Sequence, residues 1–457
     1  MAGVRGDQRP RSRYGPTLLA AVIERANAAG MAVVARGGGM SYTLGFTPSR
    51  PSTVLLDMRR MNRIREINRD DMYVIAEAGC TWEQLYHELG EQGVRTPYYG
   101  PLSGRYATVG GALSQNSLFW GSGVHSTVAD CVLGLEVVLA GGRVVRTGSW
   151  GRPSTNAFLR HNGPDLSGIF TGDTGAMGVK AAAAIRLVPA PAVSLGASFA
   201  VPSFEAAIEA MKEISPLGIV SELYELDPFY HGVLARAGLT FLADHDWTVH
   251  FGVDAPDEAI GQAQLDYCKR ICAKYGEEID PVTVSVFKND PFGAVQSILL
   301  GPDGGLWLPI HAFLPWSKAQ AARQAVERFF ERHASTMEAH GIKTSVLSVG
   351  SGKDFVFEPS FYWFDQLGDF WLERISPEAA TEWKEIPADE ETRSVVLELR
   401  RQLAKTFDGV GCCHIQVGKY YEYEPMLEPE TWSIVKAFKA AVDPQGLVNP
   451  GSLGLGS

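Results

Sequence analysis

The spacing of apolar residues in the first 100 positions changes repeatedly between a helical and an extended repeat. Apolar residues at helical spacing predict a helix over 16–30 and a second over 81–93, where Thr81 is a typical N-cap residue. Short apolar runs predict strands at 31–36, 52–58 and 72–79. This part of the chain is therefore expected to mix helices and strands.

A hairpin and a further strand follow in the next 90 positions. Residues 131–148 predict two strands that turn at Gly141 and Gly142, because two-residue hairpin turns favour glycine. Residues 177–191 predict a strand that ends in prolines. Between the early elements and this hairpin, the Gly-, Ser- and Asn-rich region 100–127 has little periodicity and predicts a long loop.

The pattern changes near residue 192. Beyond it, strand-like runs such as 247–255 and 304–315 alternate with longer amphipathic segments. These segments predict helices over 204–215, 256–275 and 317–340. Strands and helices in this arrangement are typical of an antiparallel sheet covered by helices, so we expect an α+β protein with a domain boundary near 192.

Length and composition favour a two-domain enzyme. The 457 residues exceed one ordinary core, and 45% hydrophobic with 20% charged residues is typical of globular enzymes. The net charge of −11 argues against a nucleic-acid partner. No apolar segment is long enough to span a membrane, and the basic stretch 1–15 has no apolar core, so we expect a cytoplasmic protein. The six cysteines lack zinc-ligand spacing, which predicts reduced, buried thiols and no metal site.

Three glycine-rich stretches carry the first chemical signal. They are "RGGGMS" (36–41), "TVGGALSQN" (108–116) and "TGDTGAMG" (171–178). Glycine admits a ligand close to the main chain, and successive N–H groups in such turns bind anions such as a diphosphate. Tight turns without a ligand explain any single stretch, but three in one half favour a nucleotide site. Neither a G-x-G-x-x-G fingerprint nor a P-loop is present.

The order of these motifs closely resembles the vanillyl-alcohol oxidase / p-cresol methylhydroxylase (VAO/PCMH) superfamily of FAD flavoproteins. The ending "VDPQGLVNPGSLGL" (442–455) also matches, and 304–315 is similar to a tryptophan-bearing strand of its 4-alkylphenol-oxidising members. The resemblance implies a two-domain α+β flavoprotein. Its parts would be an FAD-binding domain (1–191), a substrate domain (192–400) with an antiparallel sheet covered by helices, and a segment (401–457) that returns to complete the active site.

The same resemblance implies which residues contact FAD. The glycine stretches would hold the diphosphate, the ribityl chain and the ring system, and His125 would lie beside the ring. The full set is Arg36, Gly37, Gly38, Gly39, Met40, Ser41, Thr108, Val109, Gly110, Gly111, Ser114, Asn116, His125, Gly175 and Val179. Met40 stands where many relatives carry the histidine that bonds covalently to the flavin, and 349–359 has no histidine or tyrosine. We therefore expect non-covalent FAD.

Five residues are candidates for catalysis. His311 and His414 occupy predicted strands of the substrate half, although a structural role is equally open for both. Glu358 has apolar neighbours and would suit a base if it is buried without a cationic partner. Relatives bind a phenolate with a tyrosine and an arginine; here 414–423 offers Tyr420 and Tyr421 without an arginine. A strand would point one tyrosine inward, and we favour Tyr420.

The resulting expectation is an FAD-dependent oxidoreductase that oxidises a small phenol or aryl alcohol by hydride transfer to flavin N5. Oxygen, an electron-acceptor protein or a quinone would reoxidise the flavin, and a homodimer is left open. One alternative is a D-2-hydroxy acid dehydrogenase, although the metal-binding pattern of many such enzymes is absent. Others are a non-redox flavoenzyme similar to alkyl-glycerone-phosphate synthases, and a protein that binds flavin without turnover.

Overall fold

The structure, a computed structural model, describes residues 15–236, 239–282, 288–293 and 306–456. Its first half builds a five-stranded antiparallel sheet of order β3-β4-β8-β6-β7, a parallel pair β1-β2 and a short pair β5-β9. The strands are β1 Ala32–Arg36, β2 Thr53–Asp57, β3 Ile64–Asn68, β4 Tyr73–Glu77, β5 Val94–Arg95, β6 Val132–Val138, β7 Val144–Arg146, β8 Val179–Arg186 and β9 Val188–Pro189. The helices are α1 Pro16–Ala28, α2 Trp82–Gly90, α3 Val109–Gln115, α4 Ser122–His125 and α5 Leu166–Ile169.

The second half builds a nine-stranded antiparallel sheet of order β13-β10-β12-β11-β16-β17-β15-β18, with β14 also paired to β17. Its strands are β10 Val193–Val201, β11 Glu222–Leu226, β12 Trp247–Ala255, β13 Glu277–Ile279, β14 Leu306–Pro309, β15 Ala312–Leu314, β16 Lys343–Ser351, β17 Asp354–Trp363 and β18 Cys413–His414. Its helices are α6 Phe204–Ile214, α7 Pro228–Arg236, α8 Glu258–Cys272, α9 Ala319–Ala339, α10 Asp369–Leu372, α11 Pro377–Trp383, α12 Glu390–Val410 and α13 Pro429–Val442. The α+β class is confirmed, whereas the domain boundaries stay a prediction.

Local sequence signals are confirmed where one residue type controls the backbone. Thr81 caps α2, and its hydroxyl accepts a hydrogen bond from the Gln84 N–H at 3.2 Å. The hairpin between β6 and β7 turns at Gly141 and Gly142, which have φ values of 72° and 80°. Val138 lies opposite Val144, so the loop is longer than the two-residue turn that the sequence predicts, but both glycines take the positive φ that glycine adopts without strain.

Three local predictions are wrong. The stretch 108–116 is not a loop: residues 109–115 form α3, and Thr108 caps it by accepting from the Gly111 N–H. Residues 304–315 do not form one strand. β14 ends at Pro309 and β15 begins at Ala312, so His311 lies in the gap between them. Gly304 and Gly305 lie outside the described residues. Residues 414–423 are mostly turns, so strand alternation does not decide which tyrosine points inward.

Buried thiols are only partly confirmed. All six cysteines are free; five are buried, and Cys413 is exposed. Among the described residues, no helix combines the length and apolarity needed to cross a bilayer.

A buried chain of hydrogen bonds crosses the second sheet. The His231 Nδ1–H donates to the His245 carbonyl at 2.8 Å, so the Nε2 of neutral His231 accepts from the Thr248 hydroxyl at 2.8 Å. The Thr248 oxygen then accepts from His250 Nε2–H at 2.6 Å, and His250 Nδ1 accepts from Ser198 at 2.7 Å. Every contact in this hydrogen-bonded chain pairs one donor with one acceptor only while both histidines are neutral.

Acid is expected to destabilise the fold through this chain. Burial, with a smaller contribution from His231, lowers the pKa of His250 from 6.5 to about 3. The unfolded state therefore binds the proton first, and stability falls as the pH drops from 6.5 towards 3. At pH 5 the loss from His250 is about 2 kcal/mol. Denaturant unfolding measured across this pH range should show a smaller slope in His250→Gln, and an identical slope would contradict the assignment.

Candidate functional site

A cavity of about 440 Å³ lies between the two sheets. One wall comes from the glycine stretches of the first half, and the other from β11, β16, β17 and the break between β14 and β15. The lining includes most of the residues assigned to FAD from the sequence, namely Gly37, Gly38, Gly39, Met40, Ser41, Thr108, Gly110, Gly111, Ser114, Gly175 and Val179. The catalytic candidates His311 and Glu358 line it as well.

The first glycine stretch is packed against its neighbour so tightly that it excludes side chains. A Cβ on Gly37 would overlap the Thr108 hydroxyl, and one on Gly38 would overlap the Tyr106 carbonyl oxygen. Gly39 has φ +73°, which glycine adopts without strain. These glycines are therefore required by the approach of residues 106–108, whether or not a ligand is bound.

The main chain of this stretch also offers unused donors. The N–H groups of residues 37–41 donate to no acceptor within the described part of the chain. Buried or half-buried N–H groups ordinarily find a partner, so a consecutive run without one indicates a ligand that accepts hydrogen bonds. A diphosphate is such a ligand, because its oxygens carry negative charge and accept several bonds at once.

The C-terminal segment braces this stretch from behind. The Val33 N–H donates to the Leu447 carbonyl, and the Asn449 N–H donates to the Val33 carbonyl, both at 2.8 Å. The Asn449 side-chain amide donates to the carbonyls of Gly45 and Thr174, at 2.9 and 2.7 Å. One buried asparagine thus joins the loop that follows the first glycine stretch to the third glycine stretch.

His311 and Glu358 form a buried pair at the opposite wall. His311 Nε2 lies 2.6 Å from Glu358 Oε2, and the residues are 5% and 8% exposed. His311 is held by its main chain, which donates to the Tyr421 hydroxyl at 3.2 Å. Its Nδ1 atom has no hydrogen-bond partner among the described residues. The pair therefore combines a carboxylate, an imidazole and an unused ring nitrogen at the edge of the cavity.

Sequence analysis missed the aromatic residues around this pair. Tyr42 stacks on the His311 ring at a centroid distance of 5.4 Å and meets Trp307 edge-on at 5.2 Å. Burial, followed by the nearby Glu358 carboxylate, raises the pKa of Tyr42 well above its ordinary value, so the phenol stays protonated. Tyr42 directly follows the first glycine stretch, and this position in the sequence could have identified it as a site residue.

Comparison with known proteins gives a consistent result. Residues 17–148 match the family "FAD binding domain", and residues 409–453 match "FAD linked oxidases, C-terminal domain". Glycolate oxidase subunit GlcD of Bacillus subtilis is 24% identical, over 92% of this chain and 83% of that protein. The structure of substrate-bound p-cresol methylhydroxylase superposes with a TM-score of 0.69 at 17% identity, over 96% of this chain and 87% of that one. An alkyldihydroxyacetonephosphate synthase structure superposes with a TM-score of 0.66 at 15% identity, over 94% and 74%.

The two matching families are those of FAD-linked oxidases, and the fold is shared with p-cresol methylhydroxylase, so the resemblance seen in the sequence is confirmed. The chain is an FAD-dependent oxidoreductase. The cavity of this flavoprotein fits the cofactor on its own features. Residues 37–41 offer the unused N–H groups that a diphosphate accepts from, and the glycines leave the main chain bare.

Four of the residues assigned to FAD do not line the cavity of this flavoprotein. The Arg36 guanidinium lies 4.9 Å from the Phe370 ring centroid. Val109 is buried in the core, and Asn116 ends α3 with φ 52°. His125 is half-buried outside the lining, where burial and nearby arginine charges lower its pKa to about 4. Their assignment to FAD stays a prediction.

The C-terminal catalytic candidates also lie outside the lining. Tyr421, rather than Tyr420, is the more deeply buried tyrosine of this pair, and its ring stacks on His414 at a centroid distance of 3.9 Å. The Tyr420 ring instead packs under Arg400, whose guanidinium carbon is 3.9 Å from the ring centroid. Arg400 also donates to the carbonyls of Pro309 and Tyr42. An arginine from α12 therefore packs on Tyr420, a contact that sequence spacing could not show.

Proposed function

We propose that this flavoprotein oxidises a small, uncharged phenol or aryl alcohol, with His311 and Glu358 taking up the hydroxyl proton of the substrate. The single observation that supports this is the 2.6 Å contact between His311 Nε2 and Glu358 Oε2 in a cavity lined by aromatic and apolar side chains. Bound FAD supplies the hydride acceptor for such a reaction.

The pair is suited to proton transfer. Removing a hydride from an alcohol carbon leaves a hydroxyl proton that a positioned base must accept. Glu358 accepts from His311 Nε2–H, which leaves Nδ1 of the neutral imidazole as the acceptor that has no internal partner. Stacking against Tyr42 holds the ring in one orientation. The two residues can therefore receive a proton and stabilise the charge on the imidazole.

The lining favours a substrate without charge. Tyr224, Tyr230 and Trp307 contribute rings, and the aliphatic side chains include Leu226, Val233, Leu234, Leu347, Val349 and Val356. Lys180 is the one lysine or arginine among the lining residues that the structure describes, and Asp173 binds it at 2.6 Å. A substrate carboxylate or phosphate at the wall formed by the second sheet would lose its hydration without gaining an available cation, because the unused N–H groups of residues 37–41 lie at the opposite wall.

A D-2-hydroxy acid remains the second candidate, because similarity to the glycolate oxidase subunit covers 92% of the chain. The two are separated by mixing the purified protein anaerobically with a 4-alkylphenol, an aryl alcohol, D-lactate and an acyl dihydroxyacetone phosphate. We expect the flavin absorbance to bleach with the phenol or the aryl alcohol and to persist with the two anions. Bleaching by D-lactate alone would replace the first proposal with the second.

We also propose that FAD is bound without a covalent bond. Met40, in the first glycine stretch, lines the cavity, and its thioether cannot form the histidyl linkage of many relatives. Acid precipitation is therefore expected to leave the yellow colour in the supernatant, as measured by its absorbance. Colour retained in the pellet would contradict this and would point to another side chain in the lining.

A further inference from the structure

A cluster of three metal-ligating side chains lies apart from the cavity lining, at the junction of α12 and β18. The side-chain ligand atoms of Asp408, Cys412 and His414 all lie within 4.8 Å of one another. His414 Nε2 is 3.1 Å from Asp408 Oδ1 and 3.7 Å from Cys412 Sγ. Cys412 and His414 are buried, whereas the Asp408 side chain is 37% exposed.

The hydrogen bonding of His414 makes this arrangement unusual. Its Nδ1 atom lies 3.1 Å from the His311 carbonyl oxygen, which can only accept, so Nδ1 carries the proton. In a neutral imidazole, Nε2 then presents a lone pair. That lone pair faces the Asp408 carboxylate, which is also an acceptor. The Cys412 thiol, whose Sγ is 3.7 Å from Nε2, can donate to this lone pair, and a bound cation in place of that proton would join all three side chains.

We propose that the cluster binds a zinc ion through Asp408, Cys412 and His414. Imidazole, thiolate and carboxylate are the ligands that zinc takes in proteins, at about 2.0–2.3 Å. Ligand atoms on one tetrahedral zinc are then separated by about 3.3–3.6 Å. The observed 3.1 and 3.7 Å separations lie close to this range. The partial exposure of Asp408 gives the ion an entry path and leaves the fourth position to water.

The orientation of His414 supports the same conclusion. Ligating histidines commonly donate their other ring N–H to a carbonyl or carboxylate, which fixes the tautomer. Here the acceptor is the His311 main chain, and Ala312 pairs with His414 across β15 and β18. The ion would therefore stabilise the backbone that carries His311 without touching the cavity. The sequence-based expectation of no metal is revised by this proposal.

The test uses the tag-free, FAD-loaded chain, freed of metal by a chelator and titrated with zinc chloride in a calorimeter. We expect one zinc ion per chain, with affinity lowered at least tenfold in Cys412→Ser and in Asp408→Asn. Cys413→Ser is the matched control, because Cys413 is adjacent, exposed and outside the cluster. It should bind zinc as the parent does.

Cobalt provides a second measurement that does not depend on stability. Tetrahedral cobalt at the cluster should give long-wavelength absorption bands, where oxidised flavin is transparent, in the parent and in Cys413→Ser. The bands should be lost in Cys412→Ser. Absence of stoichiometric binding, or equal binding in Cys412→Ser and Cys413→Ser, would overturn the proposal and leave a hydrogen-bonded cluster of Asp408, Cys412 and His414.

Discussion

Replacing Glu358 with glutamine is expected to lower the rate of flavin reduction by the substrate about 100- to 10,000-fold, the usual contribution of a positioned acid or base. Glutamine preserves the shape of the side chain but removes the carboxylate charge that His311 relies on when it takes up a proton. FAD should stay bound, because Glu358 lies at the wall opposite the glycine stretches. Anaerobic stopped-flow measurement of flavin bleaching gives the rate directly.

Glu225→Gln is the matched control for this variant. Glu225 is also fully buried in the second sheet, but it does not line the cavity. Burial, followed by the charge of Asp227, raises its pKa well above the ordinary value, which favours the neutral acid that glutamine mimics. The control should retain the parental rate. A full rate in Glu358→Gln, with substrate and flavin both bound, would rule out the proposed role of the pair.

Adding a single methyl group at Gly38 is expected to abolish FAD retention. A Cβ at this position overlaps the Tyr106 carbonyl oxygen, which is main chain and cannot rotate away. The two segments must then separate, which displaces the N–H groups of residues 37–41. Overpacking of this kind costs about 1–3 kcal/mol or more in folding stability. We expect Gly38→Ala to be purified colourless, with a flavin-to-protein absorbance ratio near zero.

Gly90→Ala tests the same substitution where space is open. Gly90 is the last residue of α2, and a Cβ there meets no atom within 4 Å. Because alanine has the higher helix propensity, this variant should gain about 0.5–1 kcal/mol of stability and keep its colour. A yellow Gly38→Ala protein with normal stability would show that residues 106–108 can move aside. The assignment of residues 37–41 to FAD binding would then be wrong.

Sequence predicted the features that short segments decide. The Thr81 hydroxyl caps a helix by accepting from an N–H three residues ahead. The turn at Gly141 and Gly142 depends on two adjacent glycines. The glycine stretches were equally local signals. The sequence did not show why positions 37 and 38 must be glycine, because the segment that excludes side chains there comes about 70 positions later.

The remaining features depend on contacts between distant residues. All five residues of β4 are buried, because Trp150 and Ala157 cover its second face. The pairing of His311 with Glu358 follows from the register of β15 on β17, in which Ala312 lies opposite Phe357. Arg400 reaches Tyr420 only because α12 packs against the strands. A one-dimensional pattern carries no signal for any of these.

The brace formed by Leu447 and Asn449 has a consequence for biosynthesis. Asn449 holds Gly45 across 404 positions, so the ribosome must add all of those residues before this support exists. A nascent chain arrested ahead of Asn449 would carry the glycine stretch without its backing. Cofactor capture is therefore expected only after both halves have been synthesised, and the N-terminal half must avoid aggregation during that interval.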